Sequence, residues 1–335
     1  MGGDMDISRR ELGGLGLGML AAAAFGPPAF GAPDLPKIKV GVLKFGTVSW
    51  ELDTIKHHGL DRKNGVEVEV LDFAGEDATN VAMLAGDLDI IVSDWLWVSR
   101  QRSEGEALTL APYSTAVGAI MVKEDAGLRQ LPDLVGKKIG VAGGPLDKSW
   151  LLIQGLARQD HGLDLTEEAE IVYGAPPLLA EKALSGELDA VLNFWHFCAR
   201  LEAQGFRRML GADDAARGLG ASGPVSALGY VFREEWADGN EAVALNFIRA
   251  SAEAKALLAT SDPEWQRLAP LVRADGRTLE VMRDRYREGI PNRPVAEEEA
   301  DAAKLYGVLA ALGGEKLVGK APRIAPGTYW TALKA

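Results

Sequence analysis

The sequence predicts an α/β protein of two lobes, each a mostly parallel sheet flanked by helices. Two observations carry this. The first is an internal repeat. Residues 84–97 read Leu-Ala-Gly-Asp-Leu-Asp-Ile-Ile-Val-Ser-Asp-Trp-Leu-Trp, and residues 184–197 read Leu-Ser-Gly-Glu-Leu-Asp-Ala-Val-Leu-Asn-Phe-Trp-His-Phe. In each copy a helix ends, a Gly follows it, an acidic turn comes next, and a short apolar strand leads to a Trp. Gly86 and Gly186 suit the left-handed position after a helix. The runs Ile90–Val92 and Ala190–Leu192 are apolar throughout, as expected of parallel strands buried on both faces. The second observation is the order of elements ahead of each copy, which alternates strand and helix and therefore implies right-handed parallel crossovers.

In chain order, Lys37–Leu43 is a first strand, and Phe45-Gly46-Thr47 is the loop at its carboxyl end. Ser49 is placed to cap a helix from Trp50 to His58, with Gly59 as its stop. A turn over 60–65 precedes a strand at Val66–Leu71, where Val alternates with Glu. A helix from Glu76 to Ala85 leads into the first repeat copy. A polar helix with Arg100 and Arg102 follows Trp97, then strands at Ala107–Tyr113 and Ala116–Lys123. Pro132 and its neighbours mark a lobe boundary near Lys123. The pattern restarts with a strand over Lys137–Ala142, a helix from Ser149 to Asp160, a strand at Glu170–Tyr173 and a helix over Pro177–Leu184. After the second copy, Val225–Arg233 is a strand placed to cross back to the first lobe. From Glu235 to Gly313 the chain reads as helical, with breaks at Ser261–Pro263 and Ile290–Pro294.

Composition bounds the function. A length of 335 residues suits two domains, and 47 % hydrophobic with 25 % charged content is that of a globular chain. A formal net charge of −12 argues against nucleic acid or an anionic membrane as partner. The single cysteine, Cys198, excludes an intramolecular disulfide and a cysteine metal cluster. It reads as a small buried apolar side chain rather than a nucleophile. His57, His58 and His161 stand near helix ends beside glycines, in no metal-ligand spacing. No nucleophile elbow or phosphate loop is present, and no cofactor is expected. Gly14-x-Gly16-x-Gly18 follows no strand, so it is not a nucleotide loop.

Residues 1–31 have the layout of a secretory signal. Arg9-Arg10 precedes the Gly- and Ala-rich apolar run Leu12–Phe25, broken by Pro27 and Pro28, with small residues at the cleavage positions. The paired arginines resemble the twin-arginine type. The expected mature chain starts near Ala32 and is periplasmic, with no cysteine placed for a lipid anchor.

The candidate ligand wall is aromatic. Trp50, Trp95, Trp150 and Trp195 all sit near strand ends or helix starts, where ligands bind in open α/β sheets. Each indole can cover about 150–250 Å² of a planar or apolar solute. Trp95 and Trp195 follow equivalent strands and are expected to face each other across one cleft. Asp94 can bind an amine or ring N–H of the solute, or cap the next helix. Asn193 is its counterpart in the second copy. Gly46 and Thr47 offer backbone N–H groups and a hydroxyl. Lys148 and Ser149 stand at a helix start and can take a carboxylate. Asp94 with an aromatic wall suits a cationic solute instead.

Five segments in this order resemble the periplasmic solute-binding proteins of ABC importers. They are Lys37–Gly41, His57–Val70, Leu84–Asp89, Asp133–Val141 and Leu184–Val191. The resemblance covers roughly residues 37–235 and points to the subgroup for aliphatic sulfonates, taurine, nitrate or the pyrimidine precursor of thiamine. It implies the two-lobed type II periplasmic-binding-protein fold with two crossover strands. Lobe I would be 32–122 with 226–335, and lobe II 123–225. It further implies a monomer that captures a small solute and docks transiently on an inner-membrane permease. The family's anion-binding loop is a Gly followed by small hydroxyl residues. Here the loop is Gly143-Gly144-Pro145-Leu146-Asp147-Lys148-Ser149. Only Gly144 and Ser149 keep the pattern, and Asp147 would repel an anion if it pointed inward. The alternative is an enzyme on the same fold acting on a pyrimidine-like compound.

Overall fold

The computed structural model describes Met1 and residues 35–333 apart from Phe45. The leader and cleavage region expected over 1–31 lie outside the described residues. The chain runs β1 (Lys37–Leu43), α1 (Val48–His57), α2 (Leu60–Lys63), β2 (Glu67–Phe73), α3 (Glu76–Ala85), β3 (Ile90–Ser93), α4 (Trp95–Ser103) and β4 (Leu108–Ser114). It continues with β5 (Ala119–Lys123), β6 (Lys138–Ala142), α5 (Lys148–His161), α6 (Leu165–Glu168), β7 (Glu170–Gly174) and α7 (Pro176–Leu184). Then come β8 (Ala190–Asn193), α8 (Trp195–Glu202), β9 (Phe206–Gly211) and α9 (Ala212–Gly218). The last part is β10 (Leu228–Arg233), α10 (Glu234–Gly239), α11 (Glu241–Thr260), α12 (Asp262–Val272), α13 (Gly276–Glu288) and α14 (Val295–Val318).

These strands form two five-stranded sheets of one design, β2-β1-β3-β10-β4 and β7-β6-β8-β5-β9. Three neighbours in each are parallel, and the inserted strand runs antiparallel to both of its partners. β5 follows β4 in the chain but sits in the second sheet, and β10 follows β9 but sits in the first. The two halves therefore exchange one strand each. Ala119–Lys123, assigned by the sequence reading to the first lobe, hydrogen-bonds in the second sheet against β8 and β9. The Pro132 signal that set that boundary marks a short 3₁₀ turn, Leu131–Leu134, inside the second half.

The repeat has a packing reason. Gly86 and Gly186 end their helices in the left-handed region, with φ of 85° and 80°. Leu88 packs over Gly41 and Leu188 over Gly140. A Cβ at either glycine would lie 2.4 or 2.7 Å from the leucine methyl, so a side chain there would force that leucine to move. The aspartates then tie the strands together. Asp89 Oδ2 accepts from Lys39 N, and Asp189 Oδ2 from Lys138 N, both at 2.8 Å.

Several details differ from the sequence reading. Ser49 does not cap α1; it lies inside the helix and donates to Gly46 O at 2.6 Å. Thr47 takes the cap position without a side-chain bond. The break at 261–263 is a true cap, because Ser261 Oγ accepts from Glu264 N. β9 and α9 were not legible. Arg207 and Arg208 interrupt the apolar pattern of β9, and both arginines are spent on partners, Leu128 O and Glu202.

The C-terminal helices span both halves. α14 packs on α4 of the first and α5 of the second, while α13 packs on α8. They also hold the two connections between the sheets. Thr115 N donates to Gly289 O at 2.8 Å on the first connection. On the second, Ser222 N and Gly223 N donate to Asp301 Oδ2, and Ser226 N donates to Glu298 Oε1 at 3.0 Å. Burial would raise the Asp301 pKa, but Lys304, Ser222 and Arg293 outweigh it and hold this carboxyl below its usual range.

Candidate functional site

The carboxyl ends of β1, β3, β6 and β8 converge where the sheets face each other. At the centre, Asp94 from the first half meets Lys148 from the second, Oδ2 to Nζ 2.7 Å. Asp94 also caps α4, with Oδ1 accepting from Trp97 N at 3.0 Å. The carboxylate thus caps α4 with one oxygen and pairs with Lys148 through the other. Asp147 caps α5 by accepting from Trp150 N at 3.0 Å. Partial burial raises its pKa despite that bond and the nearby Lys148. For Lys148 burial pulls the pKa down, but Asp94 outweighs it and the ammonium is held above its usual value. The loop at the start of α5 is therefore an acidic neighbourhood with one internally paired cation. It is poor ground for an anion.

Three cavities lie between the halves, and Lys148 lines the third. The first, about 460 Å³, lies between Gly46, Thr47 and Trp50 of the first half, His196, Phe197 and Arg200 of α8, and the end of α12. The second, about 180 Å³, lies against Trp195 and the crossover residues Thr115–Val117, with Arg208, Asp213 and Glu288 on its walls. The third, about 90 Å³, is lined by Trp95, Val117, Asp147, Lys148, Ser149 and apolar residues of α9 and α14.

The predicted residues divide among these places. Gly46, Thr47 and Trp50 line the largest cavity, and Lys148 and Ser149 the smallest. Trp95 and Trp195 line different cavities, Trp195 the second and Trp95 the third. Trp95 shares an apolar cluster with Trp150, and Trp195 shares another with Trp50, their rings 5.8 Å apart and edge to face. The indole of α1 thus meets the indole of α8 across the halves.

Two predicted ligand residues are structural. Trp150, in the first turn of α5, is 0 % exposed and its indole belongs to the core. Asn193 is 1 % exposed, donating to Pro176 O and accepting from Phe194 N, which fixes the turn after β8. Gly144 adopts φ 82° in the loop, with open space where a side chain would be. Cys198 is buried, its thiol pushed up to about 11 by burial, as befits an unreactive core position. His58 contacts Glu264 at 3.0 Å rather than solvent alone. Among the described residues no group of His, Cys, Asp or Glu is disposed to hold a metal, and no helix is long and apolar enough to cross a membrane.

Sequence reasoning missed His196, Phe197 and Arg200, and the wall given by 270–273 and Met282. His196 is half-buried, and burial, then the neighbouring Arg200, lowers its pKa to about 4, so the ring is neutral at pH 7. The residues after Trp195 in the second repeat copy were the available signal, since α8 carries them into the cleft one turn on. The α12 wall had none, because it comes from helices far along the chain.

Comparison with known proteins places this architecture. Solved structures similar to it include the alkanesulfonate-binding protein SsuA of Xanthomonas axonopodis pv. citri bound to MOPS, at 17 % identity and TM-score 0.65, covering 89 % of this chain and 99 % of that one. The periplasmic aliphatic sulphonate binding protein SsuA of Escherichia coli is 19 % identical with TM-score 0.67, covering 86 % and 90 %. An ABC transporter protein from Parabacteroides distasonis is 14 % identical with TM-score 0.67, covering 88 % and 99 %. At these identities the likeness establishes the periplasmic-binding-protein fold. No curated protein sequence gives a significant match. The family model described as NMT1/THI5 like matches residues 55–264, more than half of the chain. The protein belongs to the NMT1/THI5-like family.

Proposed function

We propose that this protein is the substrate-binding component of an ABC importer, capturing one small organic solute between two lobes. The observation that carries this reading is the cavity of about 460 Å³ walled by both halves at the carboxyl ends of their strands. Its size is that of small-molecule sites, and lobe closure around the two connections would seal it. In this reading lobe I comprises residues up to about 116 and those from about 226, and lobe II the segment between. Thr115–Gly118 and the stretch before β10 serve as hinges. The partners are the solute and a permease, and the binding protein is a monomer. The solute should be recovered chemically unchanged after the complex is denatured, as read by mass spectrometry. A converted product would instead establish the enzyme alternative on a heterocyclic compound.

The same reading includes export through the twin-arginine route and a free periplasmic form. Replacing Arg9 and Arg10 together with lysine should hold the precursor in the cytoplasm, as seen by fractionation and immunoblot. Normal processing of that variant would reject the route while leaving the binding function in place.

A further inference from the structure

We propose that the solute is a planar aryl or heteroaryl carboxylate, anchored in the largest cavity by Arg200. The proposal rests on the solute-binding reading above and adds the ligand class and its anchor. Charge sorts the three cavities. The walls of the two smaller ones include carboxylates, Asp213 and Glu288 in one, Asp147 and Asp213 in the other. Among the described residues lining the largest, the charged side chains are Lys44, Arg200 and Arg273, and none is acidic. An anion is also kept from the loop before α5, where Asp147 stands and Lys148 is already paired with Asp94.

Arg200 has the geometry of an anchor. Its Nη1 donates to Arg273 O at 3.1 Å and its Nη2 to Val272 O at 2.8 Å. These bonds fix the guanidinium from α8 against the end of α12 and leave three of its five N–H donors. Among the described residues it forms no ion pair, unlike Arg208, Arg217 and Arg285 of the neighbouring cavity. A half-buried guanidinium without a carboxylate gains most from an anion of its own fork geometry, and the planar carboxylate has that geometry. Trp50, His196 and Phe197 supply flat apolar surface beside it. The neutral state of His196 keeps that wall uncharged.

The test is calorimetric titration of the mature protein with benzoate, 1-naphthoate and nicotinate, each against its amide, with butanesulfonate and benzylamine alongside. At least one carboxylate should bind at least about tenfold more tightly than its amide, a modest charge-assisted gain. Arg200→Gln should abolish that preference, and Arg200→Lys should keep it at reduced affinity. Arg200→Lys keeps the test open if the glutamine variant folds poorly. Equal binding of every acid and its amide, including none by either, overturns the proposal, as does a preference that survives Arg200→Gln. Binding of butanesulfonate or benzylamine in place of the carboxylates also overturns it but leaves the capture reading intact. Chemical conversion of a probe would overturn the capture reading itself.

Discussion

Replacing Glu51 with alanine is expected to lower folding stability by about 3–5 kcal/mol, the usual effect of stripping one partner from a buried ion pair. Glu51 is 0 % exposed and carries four contacts from three other elements. Tyr230 Oη of β10 and Ser251 Oγ of α11 donate to Oε1 at 2.7 and 2.6 Å. Lys255 Nζ of α11 and Tyr286 Oη of α13 donate to Oε2. The ammonium also lies 4.4 Å from the Tyr113 ring centroid, a favourable cation–π placement. Loss of the carboxylate leaves a buried cation and three hydroxyls without their acceptor, and burial already pulls the Lys255 pKa down. Urea unfolding of Glu51→Ala measures the cost. The double variant Glu51→Gln with Lys255→Gln should be the more stable of the two, since no charge is then left buried alone. An effect under about 1 kcal/mol, the range of an exposed pair, would show that the network is solvated.

Acid should remove a defined part of the stability through Glu264. This side chain is 5 % exposed and accepts from Thr54 Oγ1 at 3.0 Å and Arg267 Nη2 at 2.7 Å, with His58 Nε2 also at 3.0 Å. Burial alone would raise its pKa, but Arg267, His58 and Thr54 outweigh that and bring it to about 2, from 4.5. A carboxyl with the lower pKa in the folded state binds fewer protons when folded, so its contribution is complete above pH 4.5 and is lost as pH falls toward 2. The contribution amounts to about 3 kcal/mol when complete. Asp301 is also held below its usual range and adds its own acid sensitivity, so the informative quantity is the gap between the wild type and Glu264→Gln. That gap should be widest at pH 6 and shrink steadily by pH 3 in urea titrations. A gap independent of pH would show that the carboxylate charge is not what stabilises this position.

How far the site could be read follows the same physics. Gly46, Thr47 and Trp50 follow a strand directly, so sequence order alone placed them at the cavity wall. The cavity's other cations and its α12 wall depend on which distant helices pack beside that strand end. Asn193 shows the opposite limit. It stands at the right strand end, yet its amide is consumed by Pro176 O and Phe194 N, a local bonding choice that no spacing announces.

The sequence by itself determined the two α/β halves, because a helix-ending glycine, an acidic turn and a short apolar strand are local signals written twice in the chain. It determined most strands and helices for the same reason, since apolar runs and caps act over a few residues. Tertiary structure alone decided that β5 and β10 change places between the sheets. It also decided that Trp50 of one half meets Trp195 of the other, edge to face. Side-chain partners across two sheets depend on how the sheets pack, and that packing exists only once both are assembled.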